Sequence, residues 1–234
     1  MNPILSASGL NTFYGRSHIL FDMGLEVIQG ETVCLVGRNG AGKTTTFRSL
    51  MNLTPPKSGR IVFQGRDCTG LPPYKMARLG LGFVPEDRRI LGPFTVRENL
   101  EMGMIQGRSG RWNIESVLEC FPTLTRMTER MGGSLSGGEQ QMLTIGRALM
   151  GNPEVLILDE PTEGLSPVIV AELKQLVLRL KDQGTTILLS EQNIRFALSV
   201  SDSVVVMDRG RAVFSGTVEA FRQDASVQSR YLAV

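Results

Sequence analysis

Three stretches of this chain place reactive residue types at spacings that do chemistry. The first is GRNGAGKTT, residues 37–45, which fits the pattern G-x-x-x-x-G-K-[ST]. Gly37, Gly40 and Gly42, with Arg38, Asn39 and Ala41 between them, form a loop whose backbone N–H groups turn inward around phosphate oxygens. The helix expected from about Lys43 adds its positive end. Lys43 reaches the β- and γ-phosphates of a nucleotide, the Thr44 hydroxyl is suited to Mg²⁺, and Thr45 completes the loop. The second stretch is VLILDE, where Asp159 and Glu160 end an apolar run. Ligands of open α/β sheets sit outside the carboxyl ends of strands. If this strand neighbours the phosphate-loop strand, Asp159 reaches the Mg²⁺ shell, and Glu160, one residue on, is placed to polarise an attacking water. The third stretch is SLSGGEQQ, residues 134–141. Ser136 and Glu139 make a capping box that opens a helix. Capping does not require Gly137 and Gly138, and bare backbone at a positive helix end is what a phosphate approaches. One cradle already exists at 37–45, so a second anion site in one chain points to the nucleotide of another molecule.

The elements that must carry these residues follow from periodicity and punctuation. ILSASGL, ILFDMGLEVI, ETVCLVG and RIVFQG read as strands separated by turn signals at Gly15, Gly30 and PPKSGR. KTTTFRSLMNL reads as a helix. Residues of about 87–150 read as mainly helical: TVRENLEMG opens with a Thr95–Glu98 capping box, and WNIESVLECF has helical apolar spacing up to Pro122. After Pro153, strand and helix alternate: EVLILD, then SPVIVAELKQLVLRLKDQG as a helix with an early Pro and Gly184 as its stop, TTILLS, EQNIRFALSV as a helix, DSVVVMD and GRAVFSG. This order predicts an α/β fold: a mainly parallel sheet with helices on both faces, an antiparallel β portion near the N-terminus, and a helical insertion at about 87–150. We expect one domain over 1–234, with a short helical tail from about 217 to 234.

Bulk properties narrow the function classes. The chain has 234 residues, 41% hydrophobic and 21% charged, with a formal net charge of +2. That balance carries no electrostatic footprint for a nucleic acid. The start, MNPILSASGL, lacks the basic and apolar regions of a signal peptide, and no apolar run approaches the ~20 residues of a membrane span. Cys34, Cys68 and Cys120 are scattered and odd in number, which suggests reduced thiols and a cytoplasmic setting. His18 is the single histidine, which excludes multi-histidine metal sites; near a strand start it reads as structural.

LSGGEQQ, GRNGAGKTT and LILDE, in their order along nearly the whole chain, resemble the signature, Walker A and Walker B motifs of ABC-transporter ATP-binding subunits. The resemblance implies the P-loop ABC ATPase fold, ATP with Mg²⁺, and two cassettes packed head to tail. It implies that Ser136, Gly137, Gly138, Glu139 and Gln140 of one cassette face the γ-phosphate held by the other. It further implies adenine stacking by Tyr14, metal ligation by Thr44 and Asp159, and catalytic roles for Glu160 and Lys43. Three positions depart from the family. Glu86, in GFVPEDRRI, stands where most members carry Gln; it can bind the metal or its water but adds negative charge beside ATP. Ser166, in PTEGLSP, replaces the usual Asp. Gln192, in LLSEQN, replaces the usual switch histidine; its amide donates to a γ-phosphate but does not titrate. These departures bear on hydrolysis rate more than on binding.

VPEDRRI, LSGGEQQML, IGRALM and SEQN are similar to the second ATPase of branched-chain amino-acid uptake systems. That likeness implies a second ATPase subunit in a homo- or heterodimer, membrane permease subunits, indirectly a periplasmic solute-binding protein, and a peripheral place on the cytoplasmic face of the inner membrane. Arg88 and Arg89 would then lie near the membrane-subunit contact. GRNGAGKTT and DEPTEG are also similar to urea/short-amide importer ATPases. Other readings are a soluble ABC ATPase uncoupled from transport, a P-loop kinase with no use for LSGGEQQ, and a nonhydrolysing regulatory cassette, against which Lys43, Asp159 and Glu160 speak.

Overall fold

The structure, a computed structural model, describes residues 2–227 and Ser229. It opens with β1 (Leu5–Tyr14) and β2 (Ser17–Val27), followed by β3 (Thr32–Val36), α1 (Lys43–Leu50), β4 (Ser58–Phe63), β5 (Arg66–Asp67), α2 (Pro73–Leu79) and β6 (Leu81–Val84). Next come α3 (Val96–Glu101), α4 (Ile114–Cys120), α5 (Pro122–Thr125), a 3₁₀ turn at Gly132–Ser134 and α6 (Gly137–Leu149). Strand and helix then alternate through β7 (Val155–Asp159), α7 (Pro167–Asp182), β8 (Thr186–Glu191), α8 (Ile194–Val200), β9 (Ser203–Asp208) and β10 (Arg211–Thr217). Two short helices, α9 (Val218–Gln223) and α10 (Ala225–Val227), follow. They occupy the first part of the expected tail; residues 228 and 230–234 lie outside the described residues.

Two sheets carry the site. The larger has the order β10-β9-β3-β8-β7-β6, parallel except for β10. Its central strands are buried throughout because both faces are covered, so they read as unbroken apolar runs. The period of two divides them between two cores. Cys34, Val36, Leu156 and Leu158 join Leu143, Leu149, Leu173, Val177 and Phe196 from α6, α7 and α8. Val33, Leu35, Val155 and Ile157 join Phe47 and Leu50 of α1 and the apolar face of the second sheet, including Leu5, Leu10, Leu20, Met23 and Ile61. That second sheet, β2-β1-β4-β5, is antiparallel, as the N-terminal runs predict.

The capping boxes expected at Thr95 and Ser136 are both formed. A third, Asn113–Ser116, opens α4 and escaped the sequence reading. Pro122 ends one helix and starts another, since proline fits the first turn of α5. The sequence reading also passed over β5, α2 and β6. The first is two residues long, and PPYKMARLGLGFV places a one-sided short helix directly against a four-residue strand, too brief for either period to show.

Gly210 makes a backbone link between the two sheets. Gly210, between β9 and β10, donates its N–H to the Ala41 carbonyl at 2.8 Å and accepts from the Phe21 N–H at 2.9 Å. Its φ is +78°, and a methyl group there would run into the carbonyl of Ile19. Gly210→Ala therefore combines left-handed strain with a backbone collision, and we expect a loss of more than about 2 kcal/mol in a urea titration. An unchanged midpoint would show that the turn relaxes freely.

Candidate nucleotide site

The chemistry-bearing residues gather where the parallel strands end. Register places Val36 beside Glu191 and Asp159 beside Ser190. β7 does not neighbour β3, as the sequence reading had supposed it might; β8 lies between them. Asp159 nevertheless meets the phosphate loop, because the loop curls over the β8 end and brings Thr44 to it. The Thr44 hydroxyl donates to Asp159 Oδ1 at 3.2 Å.

Residues 37–45 form the loop that the glycines predict. Gly42 is the N-cap of α1 at φ 107°, a left-handed conformation that glycine adopts without strain, and it turns the chain from the loop into the helix. No acidic side chain occupies the first turn of α1, so its positive end is uncompensated by the helix itself. Arg38, Asn39 and Gly40 are exposed, while Gly37, Ala41, Gly42, Lys43 and Thr45 are buried. Lys43 is 3% exposed. Its ammonium donates to the carbonyls of Gly37 at 2.9 Å and Arg38 at 3.3 Å and forms an ion pair with Glu160 at 3.1 Å. All three of its N–H bonds thus have acceptors.

The two acids of LILDE divide their work. Asp159 is buried, and Ser190 donates to its Oδ1 at 2.7 Å alongside Thr44. Its other oxygen, Oδ2, has no hydrogen-bond partner. Burial pushes the Asp159 carboxyl up to about 6, with the nearby charges of Glu160 and Glu86 adding to the rise. Glu160 has φ 44°, a left-handed conformation that costs a non-glycine residue about 1–3 kcal/mol. The strain is held by its N–H donating to Ser190 Oγ at 2.9 Å, by Lys43 on Oε1, and by the Gln192 amide donating to Oε2.

Oxygen donors fit a hard divalent cation here. Asp159, whose Oδ2 is orphaned, Thr44 and Glu86 all line one cavity of about 280 Å³, with Arg48, Asp87 and Arg89. Among the described residues no cluster of three or more His, Cys, Asp or Glu forms a metal cage. Two carboxylates and a hydroxyl suit Mg²⁺, which keeps waters and shares its shell with phosphates.

Other predicted residues lie apart from this cluster. Tyr14 ends β1 at the hairpin tip, 45% exposed and paired with Ser17. His18, beside it, stacks on Phe13 at 4.0 Å and contacts Asn11, in keeping with a structural role. Ser136 is exposed at the start of α6, with Glu139 Oε2 accepting its N–H at 2.7 Å and the Gln140 amide turned to the Gly132 carbonyl. No hydrogen bond among the described residues joins this tip to residues 37–45. The glycines also have neighbours that a Cβ would crowd. A Cβ on Gly138 would lie 2.8 Å from Ile169 of α7, and one on Gly137 would lie 2.8 Å from the Arg88 guanidinium.

Ser190 and Glu191 also went unnoticed, although LLSEQN puts both at a strand end beside Gln192. Glu191 is 2% exposed and accepts from the N–H groups of Thr162 at 3.1 Å and Asn193 at 3.2 Å, tying the loop after Glu160 to the loop carrying Gln192. Burial pushes its carboxyl up to about 7.

These two raised acids set a sign for stability against pH. The fold favours their neutral forms, so unfolding releases protons in the window between the ordinary carboxylate value and about 6 for Asp159 or about 7 for Glu191. Their contribution therefore falls as pH rises. Without nucleotide, Asp159→Asn should be more stable than the parent at pH 7.5 by about 1–3 kcal/mol, and the gap should close toward pH 4.5. Denaturant titrations at both pH values read this directly; a gap independent of pH would contradict it.

Comparison with known proteins agrees with this geometry. Residues 20–163 match the ABC transporter family. The chain is 40% identical over 231 residues to the high-affinity branched-chain amino acid transport ATP-binding protein BraG of Pseudomonas aeruginosa, covering 98% of this chain and 99% of that one. It is 34% identical to the lipopolysaccharide export system ATP-binding protein LptB of Haemophilus influenzae, over 98% and 97% of the two chains. Its fold superposes on the ADP conformation of MJ1267, an ATP-binding cassette of an ABC transporter, with a TM-score of 0.82 at 28% identity over 97% of each chain. The chain thus belongs to the ABC transporter family, with the P-loop ABC ATPase fold, and is an ATP-hydrolysing transporter subunit.

Proposed function

We propose that this subunit energises uptake of branched-chain amino acids. The observation that carries the reading is the 40% identity to BraG across virtually the full length of both chains, against 34% to LptB. VPEDRRI, LSGGEQQML and SEQN support the same assignment.

ATP lies with its phosphates in residues 37–45 and its adenine against Tyr14. Thr44, Asp159 and Glu86 would hold Mg²⁺, which would neutralise phosphate charge when bound. The incoming phosphates compete with Glu160 for the Lys43 ammonium. Once Lys43 turns to them, Glu160 Oε1 is released, and Gln192 keeps the other oxygen oriented. Glu160 then takes a proton from water as the water oxygen attacks the γ-phosphorus, and the β–γ bridging oxygen leaves with ADP. Ser136, Gly137, Gly138, Glu139 and Gln140 come from a second ATPase subunit, a copy of this chain or a related one, and close over that phosphate. Closure moves the helices of about 87–150 together with the attached permease subunits. No helix among the described residues is long and apolar enough to cross a membrane. The likeness to transporter ATP-binding proteins supports a peripheral place on the cytoplasmic face of the inner membrane. A solute-binding protein delivers the amino acid from the other side. Substrate choice rests with those partners.

Reconstituted with its permease subunits and binding protein in liposomes, the chain should drive ATP-dependent accumulation of leucine, isoleucine or valine. Uptake of urea or a short amide instead, or release of a lipopolysaccharide, would redirect the assignment. Glu160→Gln should retain ATP binding, lower turnover by about 10²–10⁴-fold and accumulate the closed dimer. Parental turnover in that variant would remove Glu160 from its role as base.

A further inference from the structure

We propose that Arg88 is a positioning residue that sets the spacing between the tip of α6 and the loop after Glu160; the proposal rests on the reading that those two surfaces close together on a second subunit. The loop from Pro85 to Arg89 joins β6 to the helical segment. Arg88 and Arg89 are consecutive left-handed residues, at φ 58° and 47°. Such strain persists only where surroundings over-determine it, and here the backbone is fixed to the body of α6. The Thr144 hydroxyl donates to the Arg88 carbonyl at 2.8 Å, and Arg147 Nη2 donates to the carbonyls of Arg88 at 3.3 Å and Arg89 at 2.7 Å.

The Arg88 side chain then leaves α6 for a different element. Its Nη2 donates to the Glu163 carbonyl at 3.2 Å and lies 3.7 Å from where a Cβ on Gly164 would sit, while Nη1 occupies the space a Gly137 Cβ would need. A guanidinium at the positive end of a helix is electrostatically unfavourable. The carbonyl of Glu163 offsets that placement, so the half-buried Arg88 side chain bridges the α6 tip and the loop after Glu160. One residue therefore touches α6 through its backbone, the α6 tip through its guanidinium, and the loop behind Glu160 through a hydrogen bond. Two residues earlier, Glu86 borders the cavity shared with Thr44 and Asp159. The same short loop thus carries one side chain to the metal side of the site and another to the closing face.

The test is steady-state ATPase kinetics of the reconstituted transporter with Arg88→Ala and Arg88→Lys, alongside fluorescent ADP binding and thermal melting of each isolated subunit. Arg88→Ala should lower kcat by about ten- to a hundredfold, the scale of a misplacement of about 1 Å, with KM, ADP affinity and melting temperature held. Arg88→Lys, which can still donate to the Glu163 carbonyl, should recover most of that loss. Parental kcat in Arg88→Ala overturns the proposal. So does a parallel fall of ADP affinity and melting temperature in both variants, which marks a merely structural residue. A parental complex with no ATPase activity would overturn the proposed function, and this inference with it; an active complex indifferent to Arg88 overturns this inference alone.

Discussion

The Lys43–Glu160 ion pair governs the rest of the site. It is buried, it joins the first turn of one helix to the end of a strand two positions away in the sheet, and it spans β8. Of the four buried or nearly buried ionisable groups here, Lys43, Asp159, Glu160 and Glu191, only Lys43 is a base, while Arg48 and Arg89 line the neighbouring cavity. Burying charge is costly unless it is paired. The fold meets that demand unequally. Lys43 takes Glu160 and two carbonyls, Glu191 takes two backbone N–H groups, and Asp159 is left with one oxygen satisfied and one orphaned. The imbalance is what makes the edge receptive to cations and to a phosphate chain that competes for the lysine.

β8 is the element that makes this arrangement possible. Its Ser190 is the hinge of the hydrogen-bond network, donating to Asp159 and accepting from Glu160. Successive acids on one strand end are thereby sent to different tasks. Asp159 points back toward Thr44, and Glu160, forced into a left-handed backbone, swings toward Lys43. Gln192, at the end of the same β8, reaches Glu160 from the other side, in the place where a titrating group would make the contact pH-dependent.

Much of this was legible from the residues alone. The phosphate loop announced itself by glycine spacing between a buried strand and a helix, and the acids by their place at a strand end. The antiparallel N-terminal sheet and the later alternation of strands and helices followed from period and punctuation. What escaped were features whose cause lies far away in the chain. Ser190 and Glu191 look like ordinary strand-end polar residues until Asp159, Thr162 and Asn193 are brought to them. Gly137 and Gly138 suit an approaching phosphate, and a Cβ on Gly138 would also crowd Ile169. The RR pair of EDRRIL gave no sign that the Arg88 guanidinium would donate to the carbonyl of Glu163, 75 residues on. Local patterns identify a cradle, but they do not show which distant backbone a side chain will serve.

The Gly210 peptide has a mechanical consequence. Packed layers can yield by small sliding displacements. Here the Gly210 N–H faces the phosphate loop and the Gly210 carbonyl faces β2, so slippage between layers would break a hydrogen bond to the cradle. The turn therefore sets the β1–β2 hairpin in register with the phosphate loop, and a shift of the backbone at Gly210 would be felt on both sides.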